Sequence, residues 1–91
     1  MDLDALIEEA EALKEQAAMD NWGVGKVLKG EELETWTSKA VIYLHRYGEN
    51  DFLYEKVKEN ARDLTQNGYD KFLAILGVLK AQKASESQYT L

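Results

Sequence analysis

The chain has no cysteine, no proline and a single histidine, His45, among its 91 residues. Without a thiol there is no disulfide, no cysteine nucleophile and no soft metal ligand, and one histidine cannot build a multi-histidine centre. Without proline, long stretches are free to be helix. The longest apolar stretch, about Leu73 to Leu79, is far short of the ~20 residues that span a bilayer. These absences exclude a disulfide scaffold, a thiol enzyme and a membrane helix.

What is present is a globular balance, 45% hydrophobic and 31% charged, close to the lower size limit for a core with no covalent or metal staple. The opening MDLDALIEEAEALKEQ is acidic and amphipathic, the opposite of a secretory signal or a transit peptide, and with the missing cysteine it points to the cytoplasm. Charge is uneven. Residues 1–34 hold ten acids against three lysines, a net of −7, while residues 35–91 hold seven acids against eight bases, a net of +1, for −6 in all. That balance repels free nucleic acid and suits a basic protein surface.

Four segments carry helical periodicity. Over Asp2 to Ala18, Leu3, Leu6, Ile7, Ala10, Leu13 and Ala17 recur on one side, with Glu8, Glu11 and Glu15 on the outward, charged side. Residues 19–30, MDNWGVGKVLKG, break the pattern with three glycines, yet keep Trp22, Val24, Val27 and Leu28. The segment is expected to fold back over one end of the core. A second helix is predicted for Glu31 to Tyr47, with Leu33, Trp36, Ala40, Tyr43, Leu44 and Tyr47 in one stripe and Gly48 closing it in the left-handed conformation. Val41 and Ile42 lie off that stripe, so this helix is expected to be the central one. The third runs from Phe52 to Leu64 after an Asn50 or Asp51 cap and ends at Asn67-Gly68. The fourth covers Asp70 to Lys83; Phe72, Leu73, Ile75, Leu76, Val78 and Leu79 leave it a narrow polar face, and Gly77 suggests a close backbone crossing. Residues 84–91 read as a tail or linker after a single domain, 1–83.

Short connections make sequential helices neighbours, so the expected fold is all-α: a small antiparallel four-helix bundle, with a death-like helical bundle as the alternative. Trp36, Leu44, Leu76 and Leu79 are its predicted core.

Catalytic and cofactor motifs fail on their own terms. Gly23-Val24-Gly25-Lys26 lacks the preceding strand, the spacing and the following Ser or Thr of a phosphate-binding loop. The residue three before His45 is Ile42, so the Glu-x-x-His motif of bundle metal sites is missing. His45 itself has no partner in the sequence that marks it as a general base. No catalytic residue, cofactor or metal is therefore expected, and the chain reads as a non-enzyme.

Leu33-Glu34-Thr35-Trp36, Ala40 to Glu49, Leu53-Tyr54 and Phe72 to Ala81 together resemble helical N-terminal modules of larger bacterial proteins, including some in anti-phage defence. There, such a domain precedes a linker and a separate effector. The resemblance implies an adaptor or self-association role. Residue composition points the same way, to a protein–protein interaction module whose partner is a protein or a second copy in a homodimer. The alternative is a free-standing acidic inhibitor, antitoxin-like, that masks a basic surface. Candidate contact residues are Glu8, Glu11, Glu15, Trp22, Val24, Val27 and Leu28.

Overall fold

A computed structural model of the chain describes residues 2–19, 26–28, 30–48 and 50–88. Its elements are α1 (Leu3–Gln16), β1 (Ala18–Met19), β2 (Lys26–Val27), α2 (Glu31–Tyr47), α3 (Asp51–Ala61) and α4 (Gly68–Gln88). Local chemistry sets the starts. The Asp2 carboxylate accepts the Ala5 N–H at 2.7 Å, and Asn50 accepts from Phe52 and Leu53 at 2.9 and 3.2 Å, each satisfying donors that a first turn leaves open. Gly30, with φ at +102°, turns the chain into α2 in a conformation that side chains disfavour.

The helices run alternately up and down. Gln16 lies beside Glu31 and Glu32 at one end while Leu3 lies beside Tyr43 and Tyr47 at the other, so α1 and α2 are antiparallel. Lys80 and Lys83 of α4 pair with Glu11 and Asp4, and Asn50 and Leu53 lie beside Gln82 and Ser85. Helix α4 is therefore antiparallel to both α1 and α3. The fold is the expected all-α four-helix bundle, with one addition: β1 and β2 pair antiparallel, Ala18 with Val27 and Met19 with Lys26.

The core fills the space between these helices. Trp36, Phe72, Leu6, Leu33, Ile75, Leu79 and Val57 are its largest fully buried side chains, and Leu44 and Leu76 are buried with them. The Trp36 ring lies 4.9 Å from Phe72, tilted by 59°, and its indole N–H donates to the Leu6 carbonyl at 2.8 Å. A large aromatic is thus buried with its one polar atom paired.

Several expectations need correction. Helix α1 ends at Gln16 and α3 at Ala61, each earlier than the periodicity predicts, although Leu64 is still buried from the following turn. Helix α4 extends from Gly68 to Gln88, so residues 84–88, read as tail, continue the helix. The reason is tertiary: Glu86 accepts hydrogen bonds from Tyr43 and Gln82, both at 2.8 Å, a contact no local pattern announces. Gly48 is extended, at φ −72° and ψ 133°, not left-handed. Glycine fits there because a Cβ would sit 2.6 Å from the Leu44 carbonyl oxygen. The left-handed residue is Asn67, at φ 54°, and Gly68 already belongs to α4. Around Gly77 nothing lies within 4 Å of where a Cβ would stand, so it marks no helix crossing. Tyr47, read as part of the packed stripe of α2, is 57% exposed, and Phe52 at the start of α3 is 73% exposed. Helix α2 is central as expected but shares that place with α4. Each packs against all three other helices, while α1 and α3 do not meet.

Candidate partner-binding surface

Chain order brings acids together that are far apart in sequence. Antiparallel packing sets the second half of α1 beside the first turns of α2, and β1 and β2, which lie between them in the chain, pair with each other while β2 packs on α4. A groove of about 580 Å³ runs between α1 and α2, lined by Glu9, Ala12, Leu13 and Gln16 from α1 and by Glu31, Glu32, Thr35, Trp36 and Lys39 from α2. Ala12 and Thr35 are exposed, whereas Leu13 and Trp36 are buried beneath them. Lys39 pairs with Glu9 at 3.0 Å. Glu31 and Glu32, both exposed, make no ion pair among the described residues. Their local role is to face the positive end of the α2 dipole, as does Glu34.

The acids singled out from the sequence lie along another edge of α1. Glu11 is bridged by Lys80 of α4 at 2.9 Å, and the hydrogen bond from that ammonium, then its charge, holds the Glu11 carboxyl below its usual range. Two turns earlier, Asp4 is bridged by Lys83 at 2.6 Å. That bond, then the Asp4 charge, raises the Lys83 ammonium, and Glu8 adds a smaller contribution of the same sign. Glu8 and Glu15 are exposed. The predicted stripe is thus partly neutralised by α4, while Glu31 and Glu32 in the groove on the α2 side make no ion pair among the described residues. Such exposed pairs are screened by solvent and add little net stability, so they orient helices more than they stabilise them.

Of the loop candidates, Leu28 is half-buried against the core. Its carbonyl is held so close to α4 that a Cβ on Gly68 would lie 3.0 Å from it. Leu28, the part of the 19–30 segment whose side chain is described, thus covers one end of the core. Val27 stands in β2, and Trp22 and Val24 lie outside the described residues. Sequence reasoning did not single out the groove-lining Glu9, Glu31, Glu32 and Gln16. The signal was available in the short reach from α1 to α2, which makes the end of one helix the neighbour of the start of the next.

At the opposite end Tyr43, Gln82 and Glu86 form a polar cluster. Burial, and then the bond to the Glu86 carboxylate, pushes the Tyr43 phenol up to about 12. A group whose pKa is higher folded than unfolded contributes stability below its unfolded value and loses it as pH rises. This contribution is therefore complete below about pH 10 and lost on the way to about pH 12. The expected result is a late-titrating phenol in ultraviolet absorbance, missing in Tyr43→Phe, together with weaker alkaline destabilisation in that variant. Equal alkaline curves for the two proteins would contradict it.

His45 is exposed, its ring 5.6 Å from that of Tyr54, and no acid or nucleophile is hydrogen-bonded to it among the described residues. Those residues contain no cluster of His, Cys, Asp and Glu arranged to hold a metal, and no helix long and apolar enough to cross a membrane. No protein-family model, curated protein or solved structure matches the chain. A functional reading therefore rests on the surface geometry.

Proposed function

We propose that this chain is a non-enzymatic protein–protein interaction module of the cytoplasm that engages a basic protein surface through its α1–α2 face. The observation carrying this reading is the groove whose rim acids, Glu31 and Glu32, make no ion pair among the described residues. A net charge of −6 adds long-range attraction toward a cationic partner, which speeds encounter and fades with salt. The resemblance to N-terminal helical modules of larger bacterial proteins, some in anti-phage defence, adds the expectation that such contact joins the module to other proteins. An antitoxin-like inhibitor would use the same acidic face. A reading frame that continues into an effector domain favours the module, and a toxin-like neighbouring gene favours the inhibitor.

The test is a peptide array probed at low and high ionic strength. Bound peptides are expected to carry net positive charge and to dissociate as salt rises toward 1 M, where the screening length falls to about 3 Å. A bound set without charge bias would overturn the proposal. Self-association is a second reading, favoured by Tyr47 and Phe52 standing 57% and 73% exposed on either side of the α2–α3 connection. Sedimentation at high micromolar concentration decides it: a strict monomer of 10.4 kDa rejects the homodimer.

A further inference from the structure

We infer that the α1–α2 groove seats an amphipathic basic segment of the partner, with one apolar side chain over Ala12 and cationic side chains against Glu31 and Glu32. This deepens the interaction-module reading and rests on it.

Charge selects the sign of the occupant. Glu9 is already answered by Lys39 at 3.0 Å, so among the described residues the groove keeps the two negative charges of Glu31 and Glu32. An anionic segment is repelled there, and a purely apolar one would strip water from carboxylates and give nothing in return. The floor selects the apolar part. Ala12 leaves room where a longer side chain would fill the groove, and Trp36 lies beneath it, its indole fixed by the Leu6 carbonyl and the Phe72 ring. A floor held in place before binding loses little entropy on contact.

The other grooves among the described residues do not offer this combination. Beside Tyr43 and Tyr47, Asp2 caps α1, Asp4 holds Lys83, and Glu86 accepts from Tyr43 and Gln82. Between α2 and α3, Lys58 bridges Glu55, and with Glu59 and Arg62 also lining it that groove carries no net charge.

The experiment titrates the full chain with three probes and follows backbone amides by NMR. The probes are a short helix-forming peptide of lysine and leucine, the same peptide with glutamate in place of lysine, and polylysine. The expected result is saturable binding of the Lys/Leu peptide alone, with shifts concentrated at Glu9, Ala12, Gln16, Glu31, Glu32 and Thr35. Glu31→Gln/Glu32→Gln should weaken it about tenfold, the loss of two exposed charge contacts. Ala12→Arg, which fills an exposed helical site with a good helix former, should weaken it at least as much with an unchanged thermal melt. Shifts that map elsewhere, or variants that bind like the parent chain, overturn the groove and leave the interaction reading standing. Polylysine binding as tightly as the Lys/Leu peptide overturns the apolar anchor. No binding by either cationic probe overturns both the groove and the basic-partner reading.

Discussion

Trp36→Ala is expected to remove about 3–5 kcal/mol of stability, the range for truncating a fully buried tryptophan or phenylalanine. Trp36 is 2% exposed, touches Phe72 ring to ring at 4.9 Å, and ties α2 to α1 through the Leu6 carbonyl at 2.8 Å. Its loss therefore opens a cavity where α1, α2 and α4 meet and leaves a carbonyl short of one donor. A domain of this size has about 5–14 kcal/mol in total, so the variant should be near the edge of folding at room temperature. Urea unfolding measures it. Trp36→Phe is expected to fall between the parent and Trp36→Ala, since it keeps a six-membered ring in the core but loses both the N–H and the volume of the fused five-membered ring. A Trp36→Ala protein within 1 kcal/mol of the parent by this roughly linear extrapolation would mean that this tryptophan is not the keystone of the core.

The second large effect is expected at Leu76. Helix α4 is apolar on nearly all sides, so its sequence does not say which side faces inward. Leu76 is 3% exposed, and Leu73, three residues earlier, is 36% exposed. Leu76→Ala should cost about 2–5 kcal/mol, lowering the melting midpoint by on the order of 10 °C or more. Leu73→Ala should cost only a fraction of that. Equal effects at the two positions would show that the exposed side of α4 is covered in solution, as a homodimer through that helix requires; sedimentation of the same samples would confirm it.

Much of this fold was legible from periodicity and punctuation. The α2 stripe from Leu33 to Leu44 needs no tertiary information, because apolar residues at helical spacing fit one arrangement; the sequence narrows the cap of α3 to Asn50 or Asp51, and it is Asn50. The four core residues named from the sequence, Trp36, Leu44, Leu76 and Leu79, are all buried. The candidate site was legible only in part. The charge count marked residues 1–34 as the acidic region, but Glu8, Glu11 and Glu15 were selected on one helix alone. Lys80 and Lys83, some seventy residues later in the chain, answer part of that stripe. Glu31 and Glu32, not singled out from the sequence, are the acids that make no ion pair among the described residues.

By itself the sequence determined that the protein is all-α, that four helices form, where two of them are capped, and that thiol chemistry and disulfides are excluded. These follow from residues within a turn or two of one another, or from residue types the chain does not contain. The tertiary structure alone decided that α2 and α4 share the centre and which side of α4 is buried. It also decided that residues 84–88 remain helical and that the open acidic groove lies between α1 and α2. Each of these depends on a contact between residues distant in the chain, Tyr43 with Glu86, Lys80 with Glu11, Trp36 with Leu6. Spacing along one helix cannot say which charge meets a partner and which is left to the solvent.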